Sequence, residues 1–187
     1  MNTSHPAAGM LHTLLGLGAT HVVGIPDNAS AALFEETRRQ PGVELVTVTR
    51  EGEAFALASG LWIGGAAPVV AIQNTGLLES GDALRGTAVR MGIPMLCLFG
   101  YRGYASMKRS GVDPFDRPDS TDTLRRPDLD STALLTKPTL EAWGIPHSVL
   151  RPGEEDRMLR EAWDRSRAEE RPVALLLAHS TVPGTDA

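Results

Sequence analysis

The chain has 187 residues, 42% of them hydrophobic and 22% charged, and carries a formal net charge of −5. That length and balance fit one soluble α/β-sized domain able to bury a core without staples, and a negative chain with no basic stripe excludes nucleic acid as the main partner. No apolar run is long enough to span a bilayer and the N-terminus lacks a charged-then-apolar leader, so a cytoplasmic protein with no membrane partner is expected.

Taken in chain order, Met10, Leu11, Leu14 and Leu15 mark one face of a first helix, ended by Gly16 and Gly18. Residues 20–25, rich in Val and Ile, predict a strand, and 28–40 a helix capped by Asp27 or Asn28. Pro41-Gly42 breaks that helix before a strand over 43–49. Residues 51–63 form a small-residue helix with Ala54, Ala58 and Leu61 on one stripe, ended by Gly64-Gly65, and 69–72 is the third strand. A helix over 78–91 leads to a nearly all-apolar strand at 94–99, the kind that lies in a sheet covered on both faces. There the lone Cys97 reads as a small buried hydrophobe with no disulfide partner.

Residues 103–133 interrupt the alternation. They hold five Lys/Arg, six Asp and three Pro without apolar periodicity, which predicts a long charged loop: a lid, a partner contact or a disordered segment. A helix at 134–143, a strand at 147–150, a helix at 154–169 and a strand at 173–178 complete the chain. The fold class is therefore α/β: a single domain over 1–187, built as a doubly wound, mainly parallel six-stranded sheet with helices on both faces.

In such a sheet ligands bind at the carboxyl ends of the strands. Four polar or Gly-containing segments fall there: Gly24-Ile25-Pro26-Asp27-Asn28, Thr49-Arg50-Glu51-Gly52-Glu53, Gln73-Asn74-Thr75-Gly76 and Gly100-Tyr101-Arg102-Gly103. Glu51 stands where a strand enters a helix, so it either caps free N–H groups or faces a surface that approaches across the Ala-rich helix behind it. In the second case its carboxyl would be desolvated and suited to proton transfer. Glu53 reads as a solvated helix-face residue. Asp27 has two readings as well, helix cap or proton shuttle, and Gln73, Asn74 and Thr75 either form a turn with Gly76 or bind a ligand. His5 and His12 read as surface residues, and His21, His147 and His179 as satisfied structural histidines. No spacing suggests a metal site.

The run from Arg50-Glu51-Gly52-Glu53-Ala54 to Ala58-Ser59-Gly60 resembles the pyrimidine-domain motif of thiamine-diphosphate enzymes, in which a Glu ends the second strand and Gly follows nine residues later. Gly24-Ile25-Pro26-Asp27, Gln73-Asn74-Thr75-Gly76, Gly100-Tyr101-Arg102-Gly103 and Arg171-Pro172-Val173-Ala174-Leu175 are similar to segments of the separately encoded α subunits of sulfopyruvate and phosphonopyruvate decarboxylases. The resemblance implies the α subunit of a heteromeric thiamine-diphosphate-dependent decarboxylase of 2-oxo acids. Glu51 would hydrogen-bond N1′ of the cofactor's aminopyrimidine and relay the proton whose removal activates the thiazolium. It implies Pro26, Gln73, Asn74, Thr75 and Gly76 around the cofactor, Asp27 beside the reacting carbon, and Asn28 and Arg102 toward the substrate, with Lys108 and Arg109 as further candidate anion contacts.

Where that family usually continues Gly-Leu-Gly-Asn, this chain reads Gly76-Leu77-Leu78-Glu79, and the added carboxylate is expected to disfavour a doubly anionic substrate. The sequence has no Gly-Asp-Gly segment and only Asn2, Asn28 and Asn74 as asparagines, never adjacent. By the resemblance, then, a diphosphate-binding β subunit holds Mg²⁺ and the cofactor's charged end, in an α₂β₂ or larger assembly. A carboligase subunit and a non-catalytic assembly or regulatory subunit of the same fold are the alternatives.

Overall fold

The computed structural model describes residues 6–112 and 121–178. Its strands are β1 (His21–Gly24), β2 (Glu44–Thr47), β3 (Pro68–Gln73), β4 (Met95–Gly100), β5 (His147–Val149) and β6 (Pro172–Leu177). They pair side by side in the order β2-β1-β3-β4-β6-β5, every pair parallel. The helices are α1 (Pro6–Gly16), α2 (Ala31–Arg39), α3 (Glu51–Ile63), α4 (Asn74–Glu79), α5 (Gly81–Ala83), a π-helical turn (Leu84–Val89), α6 (Tyr104–Arg109), α7 (Thr121–Leu124), α8 (Ser131–Ala142) and α9 (Glu155–Ala168).

The period-2 alternation of strand side chains divides the core into two layers. Val69, Ala71, Leu96 and Leu98 point to the side covered by α1, α2 and α9, where Leu14, Phe34 and Trp163 pack. Val70, Ile72, Cys97 and Phe99 point to the side covered by α3, the π-helical turn and α8, where Phe55, Leu84 and Leu134 pack. Phe55 and Phe99 meet edge-on at 6.3 Å across that interface, and burying each ring contributes about 2 kcal/mol or more. Cys97 is fully buried, and burial pushes its thiol far up, which suits packing rather than nucleophilic chemistry.

The chain leaves β1 for β2 on one side and then returns to place β3 on the other. The direction of winding therefore reverses between β1 and β3, and the crevice outside their carboxyl ends is the topological switch point where such sheets bind ligands. Gly24 closes β1 there: at φ +156°, a Cβ on it would stand 1.8 Å from the carbonyl oxygen of Ala71, so only Gly lets the two strands approach.

Two of the expected elements differ in the structure. The single helix expected over 78–91 begins earlier, at Asn74, is interrupted at Ser80 and finishes in π geometry. Gly76, Gly81 and Gly86 weaken its α-helical preference, and Gly81 is pressed against the Trp143 ring, where an added Cβ would meet Cη2 at 3.0 Å.

The charged segment over 103–133 is not a structureless loop among its described residues. It contains α6 and α7, and α8 starts at Ser131 rather than near 134. Met107, Leu129 and Ala133 bury into the core layer under α3 and α8, and the Tyr101 hydroxyl donates to the carbonyl of Ala133 at 3.3 Å. These apolar anchors are too sparse to show as a period, yet they suffice to fasten both ends of the segment. Residues 113–120 of that expectation lie outside the described residues, as do His5 and His179.

Candidate active site

The segments that follow β1 to β4 gather on the carboxyl edge of the sheet, and two carboxylates are seated there on glycines. Glu51 is the first residue of α3. Its side chain lies directly over Gly76 of α4, so closely that a Cβ on Gly76 would fall 2.1 Å from Glu51 Cγ and 2.5 Å from its Oε1. Asp27, three residues beyond β1, reaches across the end of β3 to Gly100 at the end of β4. A Cβ on Gly100 would fall 1.9 Å from Asp27 Oδ2. Gly100 is the sheet partner of Gln73, so an unbroken line of contacts runs from Asp27 through Gly100 and the β3–α4 junction to Glu51.

Capping of α3 does not use Glu51. Glu53 Oε2 accepts from the backbone N–H of Thr49 (3.1 Å), the Thr49 hydroxyl (3.0 Å) and the N–H of Arg50 (3.3 Å), so the residue expected to be merely solvated closes the helix start. Glu79, at the end of α4, accepts from Gly52 N–H at 3.2 Å through Oε2 and from Arg50 through Oε1. Among the described residues the half-buried Glu51 carboxyl has no hydrogen-bond partner. A carboxyl held on a shaped seat and relieved of capping is the acceptor that the edge of a protonated heterocycle requires.

Glu53 is held below its usual value of 4.5 first by the Thr49 N–H, and Glu79 below the same value first by the Arg50 guanidinium. A depressed carboxylate contributes stability that is present above the unfolded value and lost as pH falls through the folded one. The first turn of α3 is therefore expected to loosen below about pH 4.5, read as faster amide exchange at residues 49–52, and Glu53→Gln should flatten that pH dependence.

Asp27 forms a local turn with Ser30 through one of its two carboxylate oxygens. Its Oδ1 accepts from the N–H and hydroxyl of Ser30, at 2.8 and 2.6 Å, and the Ser30 hydroxyl accepts from Asp27 N–H at 3.1 Å. Ser30, not Asp27 or Asn28, is the residue immediately before α2. Oδ2 is left over Gly100, free of that local exchange.

The remaining candidates divide. Pro26, Asn28 and Thr75 are exposed at the same edge, and the Thr75 hydroxyl donates to Gln73 Oε1 at 3.1 Å, which shapes the turn into Gly76. Asn74 is enclosed, and its Oδ1 is left without a hydrogen-bond partner among the described residues. It is fully buried, and its Nδ2 donates to the carbonyl of Arg102 (3.1 Å) and to Thr136 Oγ1 (2.9 Å). It pins the β3–α4 junction to the chain leaving β4 and to α8. Arg102 is exposed, but its Nε is engaged by Asp130 Oδ2 at 2.9 Å. Lys108 lies over the Tyr104 ring, 5.8 Å from its centre, and Arg109 is exposed on α6. His21 meets Thr20 Oγ1 at 2.8 Å and His147 meets the Ile145 carbonyl at 3.0 Å, as satisfied structural histidines do. Among the described residues no three His, Cys, Asp or Glu side chains are grouped to hold a metal, and no helix is long and apolar enough to cross a membrane.

Residues 5–120 match the family described as thiamine pyrophosphate enzyme, N-terminal TPP binding domain. The chain belongs to this family. The parallel six-stranded sheet with its surrounding helices agrees with that membership. The chain is also 35% identical over 97 residues to the phosphonopyruvate decarboxylase of Streptomyces viridochromogenes, a match covering 52% of this chain and 24% of that protein. It is 31% identical over 180 residues to the phosphonopyruvate decarboxylase of Streptomyces hygroscopicus, covering 87% and 44%. With the sulfopyruvate decarboxylase subunit alpha of Methanococcus maripaludis it shares 26% over 165 residues, covering 88% and 89%. The chain thus spans less than half the length of the two phosphonopyruvate decarboxylases, and most of the length of the sulfopyruvate decarboxylase subunit.

Three features of the site were not legible beforehand: the seat under Asp27 at Gly100, the Glu53 cap and the Arg50–Glu79 pair. Only the cap had a signal, the Thr49-to-Glu53 spacing of a helix start.

Proposed function

We propose that this chain is the α subunit of a heteromeric, thiamine-diphosphate-dependent decarboxylase of a phosphonopyruvate- or sulfopyruvate-like 2-oxo acid. The observation that carries the reading is the Glu51 carboxyl, seated on Gly76 at the sheet's carboxyl edge and without a hydrogen-bond partner among the described residues. Thiamine diphosphate, when bound, supplies the thiazolium that takes up the electron pair released as CO₂ leaves. Glu51 holds and exchanges the proton at the cofactor's N1′ atom, as a general acid–base group. Pro26, Gln73, Thr75 and the Gly76 backbone border the pyrimidine edge. Asp27 Oδ2 moves a proton near the reacting carbon while Oδ1 stays fixed by Ser30.

Asn28 and Arg102 face the substrate, Arg102 with the guanidinium nitrogens that Asp130 leaves unused. The added carboxylate of Glu79 does not stand against an anionic substrate, because its charge is paired with Arg50. A diphosphate-binding β subunit holds Mg²⁺ and the cofactor's charged end, a reading supported by the near full-length similarity to a protein named as a subunit alpha. The outer face of α3 favours such a neighbour: Leu57, Trp62 and Ile63, spread along the helix that Glu51 begins, are left 40%, 37% and 61% exposed.

The test is reconstitution with a diphosphate-domain subunit, cofactor and Mg²⁺, measuring CO₂ release from phosphonopyruvate, sulfopyruvate and pyruvate. Activity should require both chains and fall by about 10²- to 10⁴-fold in Glu51→Gln. Undiminished turnover in that variant would refute the reading.

A further inference from the structure

Glu79 stands where this chain departs from the continuation that the resembled family usually has after Gly76, and it touches both chain neighbours of Glu51. Through Oε1 it accepts from Arg50 Nε at 3.1 Å and from Arg50 Nη2, and through Oε2 it accepts from the Gly52 backbone N–H at 3.2 Å. Gly76, one turn earlier in α4, lies beneath the Glu51 side chain. One six-residue helix therefore contacts three consecutive residues, 50, 51 and 52, from the side and from below. α4 lies close over Gly52: a Cβ there would stand at contact distance, 3.6 Å from Glu79 Oε2 and 3.9 Å from Ser80 Cα. Arg50, Gly52, Glu53 and Glu79 also line an open pocket of about 300 Å³ beside α3, together with Ser80, Asp82 and Ala83.

We propose that Glu79 is a positioning residue: by bridging the Arg50 side chain and the Gly52 amide it fixes the direction in which the Glu51 carboxyl leaves the first turn of α3. The assignment rests on the reading of Glu51 as the acid–base group. The bridge ties together residues 27 and 29 positions apart, between two helices that each begin or end at the site, so it acts on backbone direction rather than on substrate. A displacement of about 1 Å in a reacting group suffices to lose two orders of magnitude in rate.

The test uses the reconstituted assembly and three variants, Glu79→Ala, Glu79→Gln and Glu51→Gln. Glu79→Ala should lower kcat by roughly 10- to 100-fold with KM for the 2-oxo acid unchanged. Glu79→Gln, which keeps an acceptor for the Gly52 amide, should recover part of the loss. In the chain without cofactor, amide exchange at Gly52 should quicken in Glu79→Ala and less so in Glu79→Gln. Wild-type kcat and Gly52 exchange in Glu79→Ala, beside an inactive Glu51→Gln, would overturn the positioning role and leave the function standing. Full activity in Glu51→Gln would overturn the function itself. Loss of kcat only in step with loss of folded protein, equal in both Glu79 variants, would also overturn the positioning role.

Discussion

Gly76→Ala is expected to leave the fold intact and to lower kcat of the assembled enzyme by about 100-fold or more. Gly76 sits inside α4 without a positive φ, where Ala is the better helix former by about 1 kcal/mol. The added Cβ would nevertheless fall 2.1 Å from Glu51 Cγ, 2.4 Å from Cδ and 2.5 Å from Oε1. Those atoms are the far end of a flexible side chain, so Glu51 rotates away rather than the backbone shifting. Stability and activity should therefore separate: Tm equal to wild type or slightly above it, with turnover nearly lost. A variant that keeps wild-type kcat would show that the seat under Glu51 is irrelevant to the chemistry.

The opposite pattern is expected at Gly100. A Cβ there would fall 1.9 Å from Asp27 Oδ2, 2.8 Å from Cγ and 3.1 Å from Oδ1. Asp27 is short, and its Oδ1 is engaged by both the N–H and the hydroxyl of Ser30. It cannot yield without losing those bonds, each worth about 1 kcal/mol, so Gly100→Ala should lower stability by about 1–2 kcal/mol and activity together. Asp27→Asn separates the two roles of this residue. Its amide oxygen still accepts from Ser30, so unfolding in denaturant should change by less than about 0.5 kcal/mol, while kcat falls at least tenfold if Oδ2 carries a proton. An Asn variant with full activity would reduce Asp27 to its turn.

The sequence made the framework readable where local pattern decides structure. The helix from Glu51 to Ile63 begins and ends as its residues suggest, because an acidic first turn opens it and Gly64-Gly65 follow directly after it. The apolar run before Gly100 lies in the doubly covered middle of the sheet for the same reason. Legibility stops where distant residues decide. That the Asn74 amide nitrogen is engaged within the fold depends on Thr136, 62 positions away. The charge of Glu79 reads as an obstacle until Arg50 is seen beside it. Gly81 yields its helical geometry to Trp143, and the segment over 103–133 is ordered at its ends by single anchors such as Met107 and Leu129. Glu51 itself was visible as a candidate, but its release from capping duty was only half visible: the Glu53 cap is local, whereas Glu79 reaches the Gly52 N–H from 27 positions away.

The most direct measurement follows deuterium uptake at C2 of the cofactor's thiazolium, in the reconstituted complex without substrate, by quenched-flow sampling. The account predicts fast exchange only when both chains are present, slowed at least 100-fold when Glu51 is replaced by Gln. Exchange in Glu51→Gln at the wild-type rate would contradict it, because the carboxyl over Gly76 would then have no part in moving that proton.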